Sequence, residues 1–155
     1  MTNELFREAM GKFATGITVV TTNTHDETVG MTVNAFMSIS LDPKLIAISI
    51  DKKASMYNIL QETKKFGISV LSEDQKDLSM IFARQKEENK EINYDYVDGL
   101  PVLKDSLVTL ACEVQSSVVA GDHRIFIAEV SNINQKDGEP ILYFGGKYRQ
   151  IEKSN

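Results

Sequence analysis

A chain of 155 residues, 42% hydrophobic and 25% charged, has the size of one globular domain with enough apolar side chains for a real core, so a single domain over 1–155 is expected. The net charge of -5 argues against nucleic acid, whose binding needs clustered Lys and Arg facing phosphates. No apolar run approaches the ~20 residues that cross a bilayer, and Glu4, Arg7 and Lys12 interrupt the start where a signal peptide carries its apolar core; no membrane association and a cytoplasmic location are expected.

In chain order, Leu5, Phe6, Ala9, Met10 and Phe13 fall at helical spacing after the cap residue Thr2, and Gly16 is placed to stop the helix. Residues 17–22 and 28–34 are rich in β-branched side chains and flank a polar 23–27, which reads as a hairpin. Residues 30–43 are read as one extended run with an unusual ladder of short polar groups: Thr32, Asn34, Ser38 and Ser40, with Ala35 framed by Phe36 and Met37. Such a ladder suits either the solvated face of an edge strand or a flat heteroaromatic ligand hydrogen-bonded along its edges.

Residues 45–50 form a short apolar strand ending at Asp51-Lys52-Lys53, and Ser55 is placed to cap a helix whose Met56, Ile59 and Leu60 share a face. A strand over 66–71 follows. Ser72 and Gln75 have capping-box spacing before a helix with the stripe Leu78, Ile81 and Phe82. The charged stretch 85–91 reads as a solvated loop or helix end. Long strands are expected over 106–119 and 124–133, joined by the turn Ala120-Gly121-Asp122-His123. Asp137-Gly138 then makes another turn before the apolar 141–144. Strands dominate without a regular βαβ rhythm, which favours a mainly β, α+β fold: an antiparallel barrel with helices outside.

Cys112, the one cysteine, falls in the strand pattern in which Val108, Leu110, Cys112 and Val114 alternate with Thr109, Ala111 and Glu113, and reads as core. With only His25 and His123 besides it, no metal cluster with recognisable spacing can be assembled, and none is expected. Gly11 and Gly16 have P-loop spacing, but Ile17 stands where the phosphate-binding Lys belongs. No G-x-G-x-x-G joins a strand to a helix, so a Rossmann site is also excluded. Lys52, Lys53 and Ser55, where a strand ends and a helix begins, could converge on a phosphate or be no more than solvated lysines beside a helix cap.

Taken together, Leu5-Phe6-Arg7, Met10-Gly11-Lys12-Phe13-Ala14-Thr15-Gly16, the ladder to Pro43, Ala120-Gly121-Asp122-His123 and Gly146-Lys147-Tyr148 resemble the flavin reductase family, over nearly the whole chain. The likeness is nearest the branch that serves phenol and 4-hydroxyphenylacetate hydroxylation. It implies an FMN-binding type of split β-barrel with Greek-key connections, working as a homodimer. It further implies NADH- or NADPH-dependent reduction of FAD or FMN, with reduced flavin passed to a separate oxygenase of a two-component, aromatic-hydroxylating monooxygenase.

By that resemblance, Thr32, Val33, Asn34, Ala35, Phe36, Ser38 and Ile39 border the flavin, Lys53 and Ser55 hold its phosphate, and Phe82, Ala83 and Arg84 add contacts. His123 orients the nicotinamide, and Gly146, Lys147 and Tyr148 close that side; Arg149 stands where relatives tend to carry histidine. The rival expectation is a flavin-binding carrier or redox sensor without turnover, which could dispense with His123. A haem-binding or pyridoxamine-phosphate-oxidising barrel lacks residues to support it.

Overall fold

The computed structural model describes residues 1–88 and 91–154, so part of the charged stretch 85–91 lies outside the described residues. Helix α1 (Asn3–Met10) starts as expected, with Thr2 Oγ1 accepting from the Leu5 N–H at 3.1 Å. It stops earlier than Gly16. Gly11 caps it, its N–H donating to the Arg7 carbonyl at 2.9 Å, and Phe13 lies beyond it, 78% exposed. No residue of α1 is buried, so its apolar face stays more than half exposed among the described residues.

The strands are β1 (Thr18–Thr24), β2 (Glu27–Val33), β3 (Phe36–Leu41), β4 (Lys44–Asp51), β5 (Lys65–Val70), β6 (Tyr94–Val97), β7 (Leu100–Leu103), β8 (Val108–Ala120), β9 (His123–Gln135), β10 (Ile141–Phe144) and β11 (Lys147–Gln150). Helix α2 (Ser55–Thr63) separates β4 from β5, and a 3-10 turn (Glu73–Gln75) leads into α3 (Lys76–Phe82). The capping box is present, the Ser72 N–H donating to Gln75 Oε1 at 2.9 Å.

Seven strands form one antiparallel sheet in the order β2-β1-β5-β8-β9-β4-β3. Consecutive strands β2 and β3 therefore occupy opposite edges, joined by only Asn34 and Ala35. The sheet must curl to allow this, and β2 comes against β4. This is the expected split barrel with non-consecutive, Greek-key-type neighbours. It also corrects the reading of 30–43 as one run. The chain kinks at Asn34, whose carbonyl accepts from the Phe36 N–H at 3.0 Å, and Ala35 is pinned to β4 by the Ser49 N–H at 3.1 Å.

Alternation along β1 sends Val20 to the barrel interior and Val19 to an outer layer. The interior joins Val20, Val33, Ile48, Phe66, Leu110 and Phe126, and α2 adds Met56 and Leu60. Each such side chain contributes about 1.5–3 kcal/mol on burial. Cys112 belongs to this cluster, and burial pushes its thiol up to about 12. The outer layer holds Val19, Leu71, Leu103 and Ile141 against Leu78, Phe82, Tyr143 and Tyr148, so α3 and the β10–β11 hairpin share one side.

Two hairpins went unread in the sequence. Between β6 and β7 lie Asp98 and Gly99 with φ of 49° and 78°, and between β10 and β11 lie Gly145 and Gly146 with φ of 60° and 74°. Paired left-handed residues are what a two-residue hairpin turn requires.

Candidate active site

The first element of the site is where α2 begins. Asp51 organises the turn: its carboxylate accepts from the Lys53 N–H at 2.8 Å and its carbonyl from the Ala54 N–H at 3.0 Å. Ala54, not Ser55, is the cap residue, and Ser55 is the first residue of the helix. There is no side-chain cap; the Tyr57 N–H donates to the Ala54 carbonyl at 3.1 Å, which leaves the N–H groups of Ser55 and Met56 at the helix start. That cavity, about 500 Å³, is lined by Thr32, Lys53, Ser55, Phe82, Ala83 and Arg84, among others. Six residues expected from sequence thus come together from three elements. Arg84 follows α3 with φ 58°, its N–H donating to the Ile81 carbonyl at 3.0 Å, and brings a second cation to the cavity that Lys53 lines.

A second, larger and mostly apolar cavity of about 710 Å³ lies at the far side of the β2 end, lined by Phe13, Thr15, Ile17, Asn34, Ala35 and Phe36 among others. Thr15 Oγ1 in its wall is buried without a hydrogen-bond partner, an orphan that a polar ligand edge would satisfy. Of the remaining ladder residues, Val33 turns its side chain into the core, and its carbonyl accepts from Thr18 Oγ1 at 2.6 Å. Thr32 donates its hydroxyl to the Ser79 carbonyl at 2.7 Å. Ser38 and Ile39 sit on the exposed edge strand β3 at a bulge, and line neither cavity.

His123 is the first residue of β9, opposite Asp51 of β4, rather than part of the turn. The turn itself docks on the α2 approach, the Lys52 N–H donating to the Asp122 carbonyl at 3.0 Å. His123 Nδ1 donates to the Asp122 carboxylate at 2.8 Å, leaving the far edge of a 40% exposed ring to solvent. That hydrogen bond, then the histidine's charge and more weakly Lys53, holds Asp122 below the usual carboxylate range. Next along β9, the Arg124 guanidinium lies 5.5 Å from the Tyr57 ring centre and ties α2 to the same strand.

The β10–β11 hairpin bonds to both sides of the site. Thr15 and Tyr143 exchange backbone hydrogen bonds at 2.9 and 3.0 Å, and the Gly145 N–H donates to the Gly11 carbonyl at 2.8 Å. The Tyr148 hydroxyl reaches Ser79 Oγ of α3 at 2.9 Å, with Gln85 Oε1 at 3.4 Å. Tyr143 meets the Tyr148 ring edge-on at 5.4 Å, and the Lys76 ammonium sits 5.5 Å from its centre. Gly146, Lys147 and Tyr148 line neither of the two cavities; Tyr148 instead borders a smaller one with Lys76 and Arg149. Among the described residues no group of three or more His, Cys, Asp or Glu could hold a metal ion, and no helix is long and apolar enough to cross a membrane.

A cationic cavity at a helix start without a side-chain cap and an apolar cavity at the end of β2 suit the phosphate and the flat ring of a nucleotide. The profile of the flavin reductase like domain matches residues 10–152. The chain belongs to the flavin reductase family. A curated NADH-dependent flavin reductase from a Rhodococcus species is 40% identical over 149 residues, covering 94% of this chain and 85% of its own. The reductase component of 4-hydroxyphenylacetate 3-monooxygenase from Thermus thermophilus is 34% identical over 149 residues, covering 96% of both chains. The solved structure of flavin reductase PheA2 in its native state superposes with a TM-score of 0.96 at 49% identity, covering 99% of this chain and 100% of that one. The family named by the sequence motifs is thus borne out.

Proposed function

We propose that this flavin reductase-family protein, a single domain over 1–155, uses NADH to reduce FAD or FMN and supplies the reduced flavin to a separate, aromatic-hydroxylating oxygenase. The observation that carries the reading is the convergence of Lys53, Arg84 and the uncapped start of α2 on one cavity, with the His123 turn bonded to the adjacent Lys52. Reductases of this family named for NADH and for a monooxygenase reductase component support the cofactor and the partner.

When bound, the flavin supplies the ring that accepts hydride. The chain's own groups position it. Lys53, Arg84, the Ser55 hydroxyl and the free N–H groups of α2 neutralise and hydrogen-bond the phosphate. Thr32 to Phe36 border the ring, with Asn34 able both to donate and to accept along a pyrimidine edge. Phe82 and Ala83 form a wall. His123, fixed by Asp122 and half exposed, orients the nicotinamide carboxamide, and orientation alone contributes several kcal/mol when reacting atoms are held near contact. The hairpin bearing Gly146, Lys147 and Tyr148 closes the nicotinamide side.

The protein works as a homodimer in the cytoplasm on this reading. Leu5, Phe6 and Met10 of α1 and Met37, Ile39 and Leu41 of the unpaired β3 edge are exposed apolar side chains that a second copy would cover.

Anaerobic stopped-flow reduction with NADH or NADPH and with FAD or FMN, followed by filtration, tests the reading. Fast flavin reduction by NADH is expected. Flavin binding with no NADH oxidation would instead mark a carrier or redox sensor.

A further inference from the structure

Ser79 is fully buried in the middle of α3, a place where a hydroxyl usually competes with helix hydrogen bonds. Here it crosses to another element, 2.9 Å from the Tyr148 hydroxyl on β11. The Ser79 carbonyl meanwhile accepts both from Thr32 Oγ1 on β2 at 2.7 Å and from the Ala83 N–H at 3.0 Å. One residue therefore joins β2, the last turn of α3 and the C-terminal hairpin. Thr32, Phe82 and Ala83 line the cationic cavity, so the wall of that cavity and the hairpin share a single anchor.

The surroundings of Tyr148 indicate that it, too, anchors. Its ring is met by Tyr143 on an edge and by Lys76, and its hydroxyl points to α3. The turn it holds, Gly145-Gly146, has two left-handed glycines with nothing near where a Cβ would stand on either; the Gly145 N–H, donating to the Gly11 carbonyl at 2.8 Å, ties it on the α1 side, and Tyr148 ties it on the α3 side.

We propose that Ser79 is a positioning residue: through Tyr148 it sets the place of the Gly145–Gly146 turn relative to the flavin wall, and so governs nicotinamide binding without touching either nucleotide. This rests on the functional reading above. Ser79→Ala and Tyr148→Phe each delete the shared bond, and Tyr148→Phe also gives up the longer 3.4 Å contact with Gln85 Oε1.

The test measures NADH KM and kcat, flavin Kd and amide exchange over residues 144–148 for both single variants and the double variant. Each single variant is expected to raise NADH KM by about three- to ten-fold, the range of one net hydrogen bond, with a smaller effect on kcat. Hairpin exchange should accelerate in both. The double variant should be no worse than Tyr148→Phe alone, because the one shared bond can be lost only once. A merely structural serine would lower melting temperature without this shared KM effect. If Ser79→Ala fails to fold, Tyr148→Phe, which keeps the ring, carries the test. Additive effects, or single variants with wild-type KM and exchange, overturn the inference. Wild-type protein that does not oxidise NADH overturns the functional reading and this role together, whereas active wild type with unshifted variants overturns this inference alone.

Discussion

The ring of Phe82 occupies the space that a β-carbon on Gly30 would need: an ideal Cβ there would meet Phe82 Cε1 and Cδ1 at 2.7 and 2.8 Å. The end of α3 therefore rests directly on the backbone of β2, and the wall of the cationic cavity depends on a residue with no side chain. Gly30→Ala should push the ring towards the cationic cavity that both residues line. We expect a stability loss of about 1–3 kcal/mol from overpacking, together with weaker flavin binding. Urea unfolding and flavin titration check the two effects. Phe82→Leu added to Gly30→Ala should recover part of both, since residues in contact couple.

If Lys53 and Arg84 hold the flavin phosphate as proposed, removing either should act on flavin rather than on nicotinamide. Lys53→Ala and Arg84→Ala are each expected to raise flavin Kd by about tenfold, the scale of one charge-assisted hydrogen bond. The wild-type Kd should rise with ionic strength, and less steeply in either variant, because surface attraction is screened within about 10 Å at 0.1 M salt. Fluorescence titration at two salt concentrations measures this. An equal loss of NADH affinity would contradict the division between the two ends of the site.

His123 and Asp122 predict a pH dependence. His123→Ala should raise NADH KM or slow hydride transfer by about an order of magnitude while flavin Kd holds. The Asp122 carboxyl is held below its ordinary range, chiefly by the His123 hydrogen bond, so the paired arrangement persists above that range and is lost as pH falls through the lowered value. NADH KM should accordingly show no Asp122-linked rise at neutral pH and should increase only below about pH 4. Asp122→Asn should abolish that acid limb.

Much of this site could be read in the sequence because its parts are local. The Thr2 cap, the Ser72–Gln75 capping box and the Lys53-to-Ser55 junction each sit within a few residues, where spacing carries the geometry. The β-branched run 17–22 announced β1 for the same reason, although two adjacent valines do not show that Val20 faces the interior and Val19 the outer layer. What escaped was set by distant packing. Thr32 and Ser79 are 47 positions apart and Ser79 and Tyr148 are 69, so no pattern along the chain announces either bond. Ser55 looks like a cap, yet Asp51 takes the turn's N–H groups and moves the helix start by one residue. The Asp98-Gly99 hairpin had a local signal and could have been read.

Cys112 should behave as a core thiol. Its pKa, raised by burial from 9.0 to about 12, means that the folded protein keeps it protonated where an unfolded chain ionises. Its contribution to stability is therefore full below about pH 9 and declines as pH rises towards about 12. At pH 8 a thiol-specific reagent should leave the native protein unmodified and label it within minutes in urea. Rapid native labelling would mean that the barrel interior opens.

Gly67 separates folding from function. An added Cβ would run into the Pro101 carbonyl oxygen and meet Val102 Cγ1 at 2.7 Å, so the β6–β7 hairpin lies flat on β5 at this point. Thr21 Oγ1 donates to the same Pro101 carbonyl and fastens the hairpin from the neighbouring strand. Because the obstructing oxygen is backbone, relief requires moving the hairpin rather than turning a side chain. Gly67→Ala should cost about 2–4 kcal/mol by overpacking and by disturbing the buried Thr21 bond. None of the residues lining the two cavities belongs to β6 or β7, so NADH and flavin constants of the folded fraction should match wild type. Urea midpoints at matched protein concentration, measured beside steady-state kinetics at low temperature, decide it: a kinetic change without a stability change would show that the hairpin reaches the active site after all.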